Sequence, residues 1–255
     1  SVGAIHPKIK SMLDELEENH GEIDIENAPR SGQLIEIRFH GGAKHGTRYY
    51  NTGVGGGNDA GAVFAMYPKE SIVKSMSTKI GDCNGAVPIG GIDGGEVAVE
   101  YGFGPLLYDV LFDAVVILGG ATGLTCDYYS VSDEAFNVWN YYLNNRPDII
   151  AKQKDLNQYP ITPDTFDDCT GPGAARSHGY RSVAKRFGFE KAYAPNKPGP
   201  DGENPGGQLS QEFIEHWFDP TNPLSKTYHR KGGGTPVMDY LRSNFLLNPK
   251  AAKII

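Results

Sequence analysis

Between residues 80 and 145 the chain contains no lysine and no arginine, yet it carries nine acidic side chains there, a local charge of −9. Phosphate affinity comes largely from Lys and Arg, so this stretch is excluded as a nucleic-acid contact. Long apolar runs are missing too: the longest, Val110–Leu118, is interrupted by Asp113 and falls far short of a membrane span. The first residues lack the basic and apolar regions that mark a signal peptide. Cysteine is scarce, with only Cys83, Cys126 and Cys169 at spacings of 43 and no CxxC or Cys/His cluster. Neither a zinc site nor a disulfide framework is expected from that pattern. The three cysteines read as structural or unbridged thiols of a chain folded inside a cell. A membrane protein, a coiled coil and a disordered tail protein are excluded together.

What is abundant is backbone punctuation. Glycine (33) and proline (17) take about a fifth of the 255 positions, above ordinary usage but below that of low-complexity chains. Hydrophobic residues at 39% suffice for a core. The formal charge of −7 is unevenly spread, with −1 over residues 1–79 and +3 over 146–255. The one local positive cluster, Arg176, Arg181, Lys185, Arg186 and Lys191, reads as a solvated helix face or as a phosphate or partner contact.

His6–His20 predicts a helix with Pro7 near its start, Gly21 past its end and an apolar stripe of Ile9, Met12, Leu13 and Leu16. Gln33–His40 alternates as a half-buried strand, and Ala60–Pro68 and Ala86–Ile92 predict two more. The loop 41–61 between them holds eight glycines without the ending of a phosphate-binding loop. Gly95–Tyr101 predicts a strand that enters Gly102-Phe103-Gly104-Pro105 and then a helix over Leu106–Leu118. Ala121–Cys126 predicts the next strand, and Ser130 or Ser132 caps a helix over Asp133–Leu143. This order is a βαβα unit, which implies parallel pairing. Further on, Phe187–Phe189 reads as one more strand, 195–207 as a Pro/Gly loop, and 211–218 and 237–247 as helices separated by the break Gly232–Gly234.

A glycine turn between strand and helix presents backbone N–H groups at a positive helix end, an arrangement suited to a pyrophosphate. Gly102–Pro105 fits it, and so does a tight turn that needs glycine for steric reasons alone. The histidines His40, His45, His178 and His229 have no metal-ligand spacing. Asp167-Asp168 suits a cation or simply a turn after Pro163.

The run EVAVEY-GFGPLLYDVLFDAV-ATGLTCD-SDEAFNVWNYY resembles the core of the GNAT N-acetyltransferase superfamily. More closely it is similar to a group of phage-encoded proteins with a YGPLLYD…GLTSD…VS..A..VWDYY…R.D pattern. That match runs through Tyr101, Gly102, Gly104–Asp109, Gly123–Thr125, Asp127, Val131, Ser132, Ala135, Val138, Trp139, Tyr141, Tyr142, Arg146 and Asp148. It extends more loosely to 167–169 and 222–233.

The resemblance implies an α/β fold: a GNAT-like mixed twisted sheet with flanking helices and a loop-rich C-terminal extension. Its divisions are a helix and linker over 1–30, the core over 31–194 and the extension over 195–255. It also implies acetyl-CoA as cofactor, held at Val99, Gly102, Phe103 and Gly104. Glu100 or Glu96 becomes the candidate base toward an amine substrate, and Tyr141 or Tyr142 the candidate acid toward the leaving thiolate. No metal, membrane or nucleic acid is expected. The alternative is a non-catalytic viral protein, virion-associated or bound to a host or viral protein, that keeps the core as a scaffold. The cation-free stretch motivates it, because a cofactor bearing several phosphates would meet only acids there. Host cytoplasm or virion is the expected location.

Overall fold

The computed structural model describes residues 4–28, 32–39, 62–65, 83–88, 97–98, 104–119, 121–126, 133–156, 162–169 and 215–255. Helix α1 (Pro7–Glu18) begins where Pro7 fits the first position and where His6 Nδ1 accepts the Lys8 amide at 3.2 Å. Its stripe of Ile9, Leu13 and Leu16 is fully buried. Gly21 follows it because a Cβ there would stand 2.3 Å from Leu16 Cδ1.

Strands β1 (Gly21–Ala28), β2 (Gly32–Phe39), β3 (Ala62–Ala65) and β5 (Val97–Ala98) form one antiparallel sheet in that order. A second sheet runs β4 (Ala86–Pro88), β6 (Gly123–Thr125), β10 (Lys226–Arg230), β7 (Ile149–Gln153). Its β4–β6 pair is parallel and its other pairs are antiparallel. Short strands β8 (Asp155–Leu156) and β9 (Asp168–Cys169) pair in parallel.

Helix α2 (Gly104–Gly119) touches β2 and β3 of the first sheet, β6 of the second, and both α1 and α4 (Pro236–Ser243). Every residue from Leu106 to Val115 is buried, so the helix is covered all round. Each of its large apolar side chains contributes about 1.5–3 kcal/mol by that burial. Helix α3 (Asp133–Asn145) adds Trp139, stacked on Tyr228 at 5.1 Å, and Tyr142, edge-on to Phe112 at 5.4 Å. Helix α5 (Ala251–Ile254) follows α4. Among the described residues no helix is long and apolar enough to cross a membrane.

The mixed α/β character stands, with differences of detail. The strands flanking α2 lie in different sheets, so β6 makes its parallel pairing with β4 rather than with β5. Residues 226–230, in a segment expected to hold loop and helix, form the strand between β6 and β7, and all five are buried for that reason. Residues 21–28, expected as a linker, form β1. The helix expected over 237–247 stops at Ser243. There Phe245 takes φ 56° and the Leu246 amide returns to Leu241 O at 2.9 Å, a Schellman closure with phenylalanine where glycine is usual.

The reading of the cysteines as unbridged thiols is corrected. Cys83 and Cys169 form a disulfide with their Cα atoms 4.4 Å apart. Cys83, Asn84 and Gly85 adopt three consecutive left-handed conformations, φ 59°, 55° and 74°, and this turn carries Cys83 to the end of β9. Equal spacing along the chain holds no information about that approach. Closing a loop across a separation of 86 residues stabilises the fold by about 4–5 kcal/mol. The glycine loop 41–61, the basic cluster 176–191, the strand expected at 187–189 and the loop 195–207 lie outside the described residues.

Candidate functional site

The signature segment converges on one buried group of charges. Asp109, on α2, accepts both ends of the Arg146 guanidinium: Nη1 donates to Oδ1 at 2.7 Å and Nη2 to Oδ2 at 2.8 Å. Arg146 follows the end of α3 and also donates to both Asp148 oxygens, at 2.8 and 2.6 Å. From β10, Arg230 Nε donates to Asp113 Oδ1 at 2.9 Å, and its Nη2 donates to Asp109 Oδ2 at 3.2 Å and Asp109 O at 3.3 Å. The Tyr142 hydroxyl donates to Asp109 Oδ1 at 2.7 Å. Asp113 Oδ2 accepts the Val237 and Met238 amides at 2.7 and 2.9 Å, so an α2 carboxylate caps the start of α4.

Three carboxylates thus face two guanidiniums in the interior, and Arg146 meets Asp109 and Asp148 in the bidentate geometry that suits such pairs. The Arg146 guanidinium lies over the Tyr142 ring and that of Arg230 over Phe112. Burial pushes Asp113 up to about 6, although Arg230 and the Met238 amide pull it down. Asp148 is held below the usual carboxylate range: its partial burial raises it, but its bonds to Arg146 and the field of that cation prevail. Burial drives the Tyr142 hydroxyl well above its ordinary value, reinforced by Asp109.

Of the residues expected to hold acetyl-CoA, Gly104 is the first residue of α2, and the space where a Cβ would stand there is open. Val99, Gly102, Phe103, Glu96 and Glu100 lie outside the described residues. Tyr142 points inward to Asp109. Tyr141 points the other way, its hydroxyl 3.4 Å from His6 Nδ1 and its ring beneath Lys8 Nζ. The structure therefore separates the two tyrosines named as candidate acids. The signature glycine Gly123 permits sheet pairing, because a Cβ there would come within 2.2 Å of Tyr228 O. His229 is part of the same strand contact: Nδ1 donates to Thr122 O at 3.0 Å and Nε2 accepts the Thr227 hydroxyl at 2.9 Å, the neutral tautomer that burial favours. His40, His45 and His178 are outside the described residues.

Asp167 and Asp168 do meet a third acid, Asp155, with one carboxylate oxygen of each lying within 4.8 Å of the others. Asp155 accepts the Thr162 amide at 2.6 Å, and Asp167 accepts the Thr162 hydroxyl at 3.1 Å, in keeping with a turn.

A second buried group has no counterpart in the sequence reading. Lys154, 1% exposed, places Nζ 2.8 Å from Thr125 Oγ1, 3.8 Å from Cys126 Sγ and over the Trp217 ring. Lys226, 6% exposed, donates from Nζ to Gln153 Oε1 at 2.6 Å, Asp219 O at 3.0 Å and Ser225 Oγ at 3.1 Å. Among the described residues neither amine is in an ion pair with a carboxylate. Nothing in KQKD or LSKT separates these two lysines from surface ones.

No protein-family profile, no curated protein and no solved structure matches this chain.

Proposed function

We propose that this chain is a viral protein, virion-associated or bound to a host protein, that uses a GNAT-like core as a scaffold and performs no transfer chemistry. One observation carries the reading: among the described residues Asp109, Tyr142, Arg146 and Asp148 are consumed by one another and by Arg230. Asp109 is taken by Arg146, Arg230 and Tyr142, and Arg146 is shared between Asp109 and Asp148. A general acid works best with a pKa near the operating pH, whereas Tyr142 is moved away from it and its proton is engaged. The Cys83–Cys169 bridge supports the same reading, since disulfides persist on virion surfaces and are rare in the cytosol. The test is mass spectrometry of purified particles, together with crosslinked pull-down from infected cells. A fixed copy number in the particle, or one host protein recovered in stoichiometric yield, is expected; absence of both overturns the proposal.

A second reading, an acyl-CoA-dependent N-acyltransferase, is favoured by one feature. Gly104 opens a 16-residue helix whose first turn carries no acid, and it leaves room for an approaching group. Val99, Gly102, Phe103 and Gly104 would hold the cofactor, Glu100 or Glu96 would take the amine proton, and Tyr141 would serve as acid. Acetyl-CoA at a hundred times its Kd would then stabilise the fold by about 2.7 kcal/mol, seen as a rise in Tm. No shift at saturating acetyl-CoA removes this second reading.

A further inference from the structure

One stretch of the chain is held in place with little apolar burial. Residues 162–166 are exposed, Asp167 and Asp168 are half-buried, and within 162–169 only Cys169 is fully covered. Its large apolar side chain, Phe166, is 48% exposed, so the hydrophobic effect does little to fix the stretch. The stretch keeps its own shape: the Thr162 hydroxyl donates to Asp167 at 3.1 Å, and Asp164 Oδ1 accepts the Phe166 amide at 2.9 Å. Polar bonds attach it to the body. Asn84 N donates to Phe166 O at 2.7 Å, Asp155 N to Asp167 O at 2.8 Å, and the Thr162 amide to Asp155 Oδ2 at 2.6 Å. The parallel β8–β9 pairing adds two residues. Each such bond exchanges with bonds to water and contributes little net stability. The same approach draws carboxylate oxygens of Asp167 and Asp168 within 4.8 Å of Asp155, where like charges repel. Cys83–Cys169 is the covalent attachment. Its two ends are unequally anchored. On the Cys83 side, Asn84 Nδ2 donates to Gln153 O at 3.1 Å, the Thr122 hydroxyl to Asn84 O at 3.1 Å and the Thr122 amide to Gly85 O at 2.8 Å. That turn stays with the second sheet, and the Cys169 side is the one able to leave.

We infer that Cys83–Cys169 is a redox-operated fastener: a dithiol reductant opens it, and the strap 162–169 then swings away, uncovering Asp155 and the edge of β8. Brief opening of the polar attachments gives the reductant access. A thiolate of the reductant attacks Cys83 Sγ, on the less covered cysteine, 6% exposed against 0% for Cys169. As the new S–S bond forms the old one breaks, and its electron pair passes to Cys169 Sγ, which takes up a proton. The second thiol of the reductant then displaces Cys83 Sγ, which is protonated in turn, and the reductant leaves as a cyclic disulfide. Two electrons and two protons have passed to the protein, and an oxidant reverses the change. The fastener is closed on an oxidising particle surface and opens in the reducing interior of a cell. The chemistry stands whether or not the scaffold reading does; that reading supplies only the passage from one surrounding to the other.

The test treats the full chain with and without dithiothreitol, labels its thiols with iodoacetamide, and maps chymotrypsin cuts by peptide mass spectrometry. On reduction Cys83 and Cys169 are expected to take the label, while Cys126, 3% exposed in the core, does not. Cleavage after Phe166 should accelerate at least about tenfold, because the Asn84 and Asp155 amides that grip Phe166 O and Asp167 O let go. Cuts at the buried Tyr142 and Tyr228 should not follow. Oxidised glutathione should restore resistance, and the double variant Cys83→Ser, Cys169→Ser should be cut at the faster rate without reductant. If Cys83 and Cys169 stay unlabelled, or if the rate after Phe166 does not change, the inference fails. It fails equally if Cys126 is labelled as fast as they are, since the bridge then staples the whole fold rather than the strap. The reduced, unaltered chain decides the matter even if the double variant does not fold.

Discussion

The interior holds positive charge in two ways a short distance apart along the same strand. At the end of β10, Arg230 meets Asp109 and Asp113, and Arg146 meets Asp109 and Asp148, so each guanidinium has carboxylates on its fork. At the start of β10, Lys226 and the neighbouring Lys154 have neutral oxygens, a sulfur and a ring. Burial is similar in the two places, yet the outcomes are opposite. The arginines stay charged and join α2, α3, β10 and α4, whereas the lysines are driven toward the uncharged form. What decides the state of a buried base is its partner rather than its depth, and guanidinium tolerates the interior better than ammonium does.

The contrast can be broken most severely at Arg146. Arg146→Met leaves Asp109 and Asp148 short of a cation in the core, and denaturant unfolding should show a loss of about 3–5 kcal/mol. Acidity tests the same point on both sides. Asp113 is raised from 3.8 to about 6 in the fold, so the folded state binds more protons than the unfolded one in that interval and stability falls as pH rises through it. Lys226 is lowered from 10.5 to about 8, so the unfolded state binds more protons between those values and stability rises with pH there. Each effect amounts to about 3 kcal/mol at most and should vanish from the pH profile in Asp113→Asn and Lys226→Met respectively. A smaller effect is expected at Lys154→Met, which removes a buried amine of nearly matching volume. Its stability should change by under about 1 kcal/mol or increase, in contrast to Arg146→Met. The smallest effect lies away from both groups. Phe245 is 92% exposed with φ 56°, so Phe245→Gly should stabilise the chain by about 0.5–1 kcal/mol in thermal unfolding.

Much of the helical framework is legible in the sequence because α1 turns one apolar side to the core and α2 is apolar nearly all round. The spacing of Ile9, Leu13 and Leu16 finds α1, and the apolar run after Pro105 finds α2. Strand β10 is not legible, since KTYHR is buried at every position by its place between two strands and so shows no alternation of apolar and polar residues. The candidate charge cluster is half legible. Asp109, Tyr142, Arg146 and Asp148 are all in the signature segment, but local charge counting reads residues 80–145 as uncompensated acid. Asp109 has its cations 37 and 121 residues away, in Arg146 and Arg230, and Asp113 has Arg230 117 residues away, so no windowed sum can join them. The lysine pair is invisible for the opposite reason: Lys154 and Lys226 have the chemistry of surface residues, and only the fold covers them.

The position of β10 has a consequence for synthesis. Its two neighbours in the sheet, β6 and β7, emerge from the ribosome some seventy residues or more before it does, and Asp113 waits still longer for Arg230 and for the amides of α4. A nascent chain that has reached residue 220 therefore lacks the middle strand of the sheet and the base and amides that pair with Asp113. Pairings between segments so far apart in sequence form slowly, because the loop must close before any contact rewards it. The second sheet is completed only once β10 arrives, so β6 and β7 are joined through it only after residues 226–230 have been made.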